Sequence, residues 1–512
     1  MKLVKKEIIH WMDQKASSDY AILSILLMEH AAQALCQAFC QLYDQSNRVC
    51  IVCGPGNNGG DGFALARLLY QKQYSVSVYC PVSFDKMSHD ECINAKMVEA
   101  LEIPYNQTFD AFLVELSQCD VCVDALFGVG LARDIQGDYA NLIMAINQSD
   151  KEIVSIDIPS GIDGNTGMKK GHAIIAHHTL TLAAYKEGLF INDARKHCGK
   201  ITLLDIQIPP KLMNECEGAT VIDEALVLSH LPKRSLYSHK GSYGKALMIG
   251  GSMSMHGALT LAVKACLQSG IGTLTLFVPD CISSILAMKL EECMLLSAPS
   301  KEGFFDEQAI PLLKAVIQQY DFIVIGNGMG RSEICRKMIE VVLQSEKPCI
   351  IDGDGIYLAA QCEIPKHKDI LMTPHVKEMS YLCHLEMKEM ITQPFKMVTT
   401  YVRQYPNVTI VYKDAFTMIT NMNESYFYYL PNTALAKGGS GDVLCGIIAG
   451  MYGQNKDMIK AACCGVYLHS QCAIETCEQY GEDSSQASNL IDEIEKILKK
   501  LRKSKKTLAS CE

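Results

Sequence analysis

Two glycine-rich turns, each preceded by apolar β-branched sequence and followed by helical sequence, constrain this chain more than any other feature. The first, GPGNNGGDG, occupies residues 54–62, and the second, AKGGSGDVLCG, residues 436–446. A strand that turns through glycines into a helix aims free backbone N–H groups and the positive helix end at one point, where an anion can sit. Two such turns far apart predict two α/β units and two nucleotide sites. At 512 residues the chain is also too long for one hydrophobic core.

Composition narrows the partners. Hydrophobic residues make up 48% and charged residues 20%, with 36 glycines and one tryptophan, the balance of a soluble α/β enzyme rather than a disordered chain. A net charge of −10 argues against a broad nucleic-acid-binding face, which needs clustered Lys and Arg. The one basic cluster, residues 496–506, overlaps a helical face carrying Ile491, Ile494, Ile497, Leu498 and Leu501, which predicts a solvated last helix with a frayed tail. Twenty-three cysteines, odd in number and with no signal peptide before them, fit a reducing cytoplasm. Cys50/Cys53 and Cys119/Cys122 mimic zinc-binding pairs, but both lie in strand-like runs where the spacing sends the thiols to opposite faces, so buried structural thiols are expected. The apolar stretch 20–28 continues through Glu29 and His30 as an amphipathic helix to Tyr43, too short and polar to span a bilayer.

From 48 to 208, strand-like runs alternate with helical patterns: RVCIVCG then 63–73, SVSVYCP then 90–101, VCVDALFG then 139–147, followed by EIVSIDIPSG and ITLLDIQIPP. That rhythm predicts a doubly wound parallel sheet with ligands at the carboxyl ends of its strands. The polar run KLMNECEGAT reads as a linker, with the unit boundary in 211–225. A second α/β unit follows through KALMIGGS, TLTLFVP, DFIVIGNGMG, CIIDGDG, DILMTPH and VTIVYKDAFTMI.

The first turn contains a formal GxGxxG, weak evidence alone. Pro81 stands where a dinucleotide dehydrogenase needs an acid for the ribose, and the absence of GKS or GKT excludes a P-loop. Asn57, Asn58 and Asp61 instead place amide and carboxylate oxygens among the glycines, able to seat a phosphate and a monovalent cation. DALFGVGLARD and SIDIPSGIDGNTG bring Asp124, Asp157 and Ser160 to the same edge, hard oxygen ligands that suit K⁺, Mg²⁺ or a sugar hydroxyl.

In the second turn Gly438, Gly439, Ser440 and Gly441 lead into a helix whose first turn carries Asp442. Donors at such a helix start stabilise a transferring phosphoryl group by roughly 3 kcal/mol each when well placed. Asp442 can take the proton of an attacking hydroxyl. Further loops, HKGSYGKALMIGGS, SMHGAL, GNGMGRS, IDGDG and MTPHVKEMSYL, each end or follow a strand. Thr373 before Pro374 marks a helix start with His375 and Glu378 in its first turn, where His375 taken alone is a capping or surface residue.

The motifs NNGGDG, DALFGVGL and DIPSGIDGNTG resemble the NAD(P)H-hydrate epimerase domain, and HKGSYG, TPHVKE and AKGGSGDVL resemble the NAD(P)H-hydrate dehydratase domain. Together they resemble the bifunctional NAD(P)H-hydrate repair family. The resemblance implies an α/β fold with an N-terminal Rossmann-like three-layer αβα domain over 1–214 and a C-terminal ribokinase-like αβα domain over 223–505. For the epimerase it implies that Asn57, Asn58, Gly59, Gly60 and Asp61, with the run Gly128, Val129, Gly130, Leu131, Ala132, Arg133 and Asp134, contact the hydrate. It further implies that Asn58, Asp124 and Ser160 surround K⁺ and that Asp157 is the acid/base. For the dehydratase it implies Ala258, Gly328, His375 and Asp442 at the hydrate, and Lys413, Asp414, Ala415, Phe416 and Thr417 with Gly441 at ADP or ATP, accompanied by Mg²⁺. Departures from the family pattern fall at His30, Ala32, Val129, Lys377 and Asp414, and in IDGDGIYL where DADALN is common.

The implied substrates are the hydrates NADHX and NADPHX, and a cytoplasmic homo-oligomer is expected. Two alternatives stand beside this reading. One is a ribokinase-like vitamin or sugar kinase fused to a non-catalytic nucleotide-binding module. The other is a non-catalytic module akin to parts of RNA-decapping scaffolds, against which the acidic balance and the retained Asn58, Asp124 and Asp157 speak.

Overall fold

The computed structural model describes the backbone of residues 1–509 and the side chains of 1–505; the frayed tail expected at the end lies outside the described side chains. The chain divides into two compact units, Met1–Thr220 and a second from Val221 onward.

In the first unit seven strands lie side by side in the order Tyr105–Asn106, Ser75–Tyr79, Arg48–Cys53, Val121–Ala125, Glu152–Ile156, His178–Leu182 and Lys200–Leu204. All pair in parallel. Chain direction across the sheet reverses at Arg48–Cys53, so the loop after that strand opens into the crevice where doubly wound sheets bind ligands. The strands are apolar on both faces because both are covered. Val49, Ile51 and Cys53 pack with Leu35, Phe39 and Phe63 on one face, and Cys50, Val52 and Cys122 with Phe112, Ile143 and Ile146 on the other. Each fully buried Phe or Ile contributes about 1.5–3 kcal/mol.

This alternation puts Cys50 and Cys53 on opposite faces, as the spacing predicts. The second pair differs. Cys119 caps the helix Phe109–Gln118 instead of lying in the strand, and it shares the cluster of Cys50 and Cys122. The strand begins only after Asp120, whose carboxylate accepts the Arg48 N–H at 2.8 Å. Every cysteine among the described residues is a free thiol.

The early amphipathic helix forms over Ser24–Leu42, and a separate helix, Lys6–Tyr20, precedes it and ends where Ala21 turns left-handed at φ 55°. Two further expectations are corrected. The HTLTL run forms an unanticipated strand, His178–Leu182, between Glu152–Ile156 and the edge strand Lys200–Leu204. The supposed linker is ordered: Pro210–Glu215 is helical, and Ala219–Val221 pairs antiparallel with Lys2–Val4. Leu212 and Cys216 are buried there, which a solvated linker would not allow.

The second unit repeats the plan. Met294–Ala298, Thr273–Pro279, Lys245–Ile249, Phe322–Ile325, Cys349–Ile351, Ile370–Met372 and Val408–Lys413 form the parallel part of its sheet, in that order. VTIVYKDAFTMI is not one strand; it folds back at Asp414, where Asp414 N–H donates to Phe416 O at 2.8 Å, so Thr417–Thr420 runs antiparallel to Val408–Lys413. Helices His256–Gln268, Ser440–Asn455, Met458–Tyr480 and Ala487–Ala509 pack on this sheet, the last burying Ile491, Ile494, Ile497 and Leu501. Among the described residues no helix is long and apolar enough to cross a membrane.

Candidate active sites

The first glycine turn leaves Arg48–Cys53 at the sheet's reversal and enters the helix Asn57–Gln71. Among the described residues the N–H groups of Asn57, Asn58 and Gly59 find no acceptor, so three donors at a helix start face the crevice. The turn is held from behind by Glu91, whose Oε2 accepts Gly56 N–H at 2.8 Å and Ser88 N–H at 3.0 Å. A Cβ on Gly54 would lie 2.1 Å from Leu126 O, so the turn sits directly on the neighbouring strand end. Gly54→Ala should therefore lower the thermal stability of the first unit by about 1–3 kcal/mol or more, read by melting.

Asp124 is fully buried on the adjacent strand. Its Oδ1 accepts the Ser160 hydroxyl at 2.6 Å and its Oδ2 the Ser155 hydroxyl at 2.8 Å and Ser160 N–H at 2.9 Å. Burial pushes the Asp124 carboxyl up despite these bonds. Ser160 Oγ also lies 3.3 Å from Phe127 O, and Asn58, whose Nδ2 is buried without a partner, has its Oδ1 beside Gly128. The donor set is one carboxylate and neutral oxygens.

Asp157 follows the next strand at φ 67°, a left-handed conformation uncommon for a non-glycine residue and characteristic of functional turns. Its Oδ1 takes the Lys186 ammonium, Leu182 N–H at 3.1 Å and the Thr181 hydroxyl at 3.4 Å. Lys186 is fully buried and spends its other donors on Thr181 Oγ1 and Leu182 O. Oδ2 of Asp157 carries no hydrogen bond among the described residues. Two more carboxyls sense the pair: burial pushes Asp61 well up, reinforced by Asp157, and pushes Asp13 up to about 6. Of the second loop, Gly128 approaches Asn58 and Val129 approaches Gly164, Gly130 is exposed and Leu131 half-buried, and Ala132, Arg133 and Asp134 are exposed. His30 keeps a buried Nδ1 without a partner. Lys186 and Asp13 escaped the sequence reading; Asp13 interrupts the apolar stripe of Ile9, Met12 and Ala16, a signal that could have found it.

In the second unit the N–H groups of Gly441 and Asp442, at the start of Ser440–Asn455, have no acceptor among the described residues. Behind them Ser440 Oγ meets the buried His469 Nε2 at 3.2 Å. Asp442 Oδ1 accepts Asn327 Nδ2 at 2.7 Å. Burial pushes the Asp442 carboxyl up to about 6, with Asp352 adding repulsion, while Asn327 and Lys413 hold it back. Lys413 reaches Asp352 Oδ1 at 3.4 Å, and its Nζ lies 3.3 Å from where a Gly441 Cβ would stand. Ala258 and Gly328 abut each other, a Cβ on Gly328 falling 3.1 Å from that of Ala258.

His375 caps the helix Val376–Cys383, its Nδ1 accepting Lys377 N–H at 3.1 Å and Glu378 N–H at 3.3 Å, while Glu378 Oε2 accepts His375 N–H. It also bridges to Lys413 along the backbone. Burial pushes Glu378 up to about 7 and lowers His375. Lys377 is exposed, and Asp414 Oδ1 accepts Ala415 N–H in the turn that precedes Thr417, with Phe416 buried. The structure thus gathers Gly328, Asp442, Lys413 and Gly441 around Asn327 and Asp352, two residues within quoted loops that were not singled out as site residues.

Two α/β units, each with free helix-start donors and a buried carboxylate at its glycine turn, define a class of two-unit protein with two candidate anion sites. Comparison makes the class specific. Residues 24–188 match the family described as YjeF-related protein N-terminus, and residues 246–496 the family described as NAD(P)H-hydrate dehydratase. The bifunctional NAD(P)H-hydrate repair enzyme Nnr of Moorella thermoacetica is 32% identical over 100% of this chain and 99% of its own. That of Coxiella burnetii is 31% identical over 91% and 93%. A ribokinase-like superfamily protein from Enterococcus faecalis superposes with a TM-score of 0.50 at 26% identity, covering 56% of this chain and 97% of that one. The chain belongs to the family of bifunctional NAD(P)H-hydrate repair enzymes, with a ribokinase-like second unit.

Proposed function

We propose that the first unit interconverts the R and S hydrates of NADH and NADPH, and that the second dehydrates the S form at the expense of ADP or ATP, releasing phosphate and AMP or ADP. The observation that carries this reading is the recurrence, in one chain of this family, of free N–H donors beside a carboxylate with one uncommitted oxygen. In the first unit the dinucleotide phosphates lie against the donors of Asn57, Asn58 and Gly59, and Asp157 Oδ2 moves a proton to and from the hydrate hydroxyl as it leaves and returns. K⁺ fits the oxygen set of Asn58, Asp124 and Ser160, which would hold it, and when bound it would supply positive charge there.

In the second unit Asp442 Oδ2 takes the proton of the hydrate hydroxyl while the Gly441 and Asp442 N–H groups and Lys413 hold the transferring phosphoryl group. As the terminal P–O bond of the nucleotide breaks, the new O–P bond makes the hydrate oxygen a good leaving group; the C–O bond then breaks, phosphate departs, and the neighbouring ring carbon gives up a proton as the double bond forms and the reduced nicotinamide is restored. Ala258, Gly328 and His375 border the hydrate, and Lys413 to Thr417 the nucleotide. Mg²⁺ bound with the nucleotide would neutralise charge on its phosphates.

Incubation with ADP or ATP and mixed hydrate epimers, following the absorbance of reduced nicotinamide, tests the reading; no recovery with either nucleotide overturns it. A kinase that keeps its phosphorylated product is the alternative, and the epimerase-family first unit speaks against it. Because Asp442 acts in its ionised form and titrates near 6, the dehydration rate should climb as pH rises through about 6, and a flat profile between about pH 5 and 7 would remove Asp442 from the role of base.

A further inference from the structure

Asn327 has no part in the scheme above, yet its side chain makes three hydrogen bonds in the second site. It is 1% exposed in the turn Gly326–Asn327–Gly328, whose glycines stand at φ 127° and 63°, a backbone that other residues rarely adopt. Gly251 N–H fixes the turn by donating to Asn327 O at 2.8 Å. The two amide hydrogens go to two different acids, Asp442 Oδ1 at 2.7 Å and Asp352 Oδ2 at 2.9 Å, and Asn327 Oδ1 receives the Cys445 thiol at 3.6 Å. The amide cannot flip, because a carbonyl oxygen would then face two carboxylates. Asp352 uses its other oxygen for the Thr373 hydroxyl and the Lys413 ammonium, and Lys413 stands beside Gly441, the neighbour of Asp442. A ring of contacts closes: Asp442, Asn327, Asp352, Lys413, Gly441.

We infer that Asn327 is a positioning residue for dehydration, locking Oδ1 of Asp442 so that Oδ2 alone accepts the proton, and tying that carboxylate through Asp352 to Lys413 on the nucleotide side. This rests on the reading of Asp442 as the base. A carboxamide is suited to the task because it supplies two donors and no charge, where a lysine would neutralise the base and an aliphatic residue would leave two acids facing each other. The charged and titratable groups around Asp442 are Asp352 and Asp354 on the loop after Cys349–Ile351, Lys413 at the end of its strand and Cys445 one turn along its own helix. Of these, Asp352 and Asp354 raise its titration and Lys413 lowers it, so loss of the amide leaves the two acids less opposed.

Asn327→Leu keeps the volume and removes both donors. The low-pH limb of kcat for dehydration should move upward from about 6 by about one to two pH units, as loss of a hydrogen bond to a charged group implies, with KM for the hydrate changed less than about threefold. Asn327→Ser, smaller and still carrying a hydroxyl donor, should give an intermediate limb, and serves if the leucine variant melts below the wild type. Loss of kcat with an unmoved limb in a variant that melts like the wild type would mean a purely structural role and overturn the inference. Wild-type protein without any nucleotide-dependent recovery of reduced cofactor would instead overturn the functional reading. In that event the carboxyl titration of Asp442, followed by NMR on ¹³C-labelled full-length protein, still decides: an upward shift in Asn327→Leu supports the positioning, and no shift sinks it.

Discussion

Asp442→Asn should abolish nucleotide-dependent recovery of reduced cofactor, a fall of at least about 10²–10⁴-fold, while epimerisation by the same protein continues at the wild-type rate. The substitution separates chemistry from structure. Asparagine keeps Oδ1 as an acceptor for Asn327 Nδ2, so the 2.7 Å contact survives, and it removes a carboxylate that Asp352 repels. The second unit should consequently melt no lower than the wild type, and ADP or ATP should still bind. A variant that retains a tenth or more of the dehydration rate, measured at saturating nucleotide and hydrate, would show that the proton goes elsewhere.

Asp157→Asn should do the reverse, abolishing interconversion of the hydrates and sparing dehydration of the S form. Here stability has to be separated from chemistry. Asparagine tolerates the left-handed backbone at 67° and still accepts Leu182 N–H, but the fully buried Lys186 loses the carboxylate that it pairs with among the described residues. Breaking a buried pair on one side costs about 3–5 kcal/mol, so the single variant should melt early in its first unit. The double variant Asp157→Asn with Lys186→Met removes both charges and should recover much of that loss without recovering epimerisation. Activity in the recovered double variant, followed by chromatographic separation of the epimers, would rule out Asp157 as the acid/base.

The parts of this architecture legible in the sequence are those fixed by local pattern. Apolar runs bounded by glycine gave away most of the parallel strands, and the two glycine turns announced both helix starts because the chain there has few other conformations. What escaped depends on residues distant in sequence. Lys186, within YKEGLF, reads as a solvated lysine, and only the turn of the chain after His178–Leu182 brings it under Asp157. Asn327 and Asp352 sit in glycine-rich loops from different strands; the bonds of Asn327 to Asp352 and Asp442 follow from strand order in the sheet, which no local window contains. KLMNECEGAT looks polar enough for a linker because its order comes from pairing with Lys2–Val4 at the far end of the unit.

That last pairing bears on how the protein is made. Lys2 and Thr220, whose side chains meet at 3.2 Å, are 218 positions apart, so at the usual pace of translation the early strand waits roughly 10–40 s for its mate. Over that interval Leu3 and Val4 can take Tyr185 and Lys186 on one side, but their other side stays an open hem that only Ala219–Val221 can sew shut.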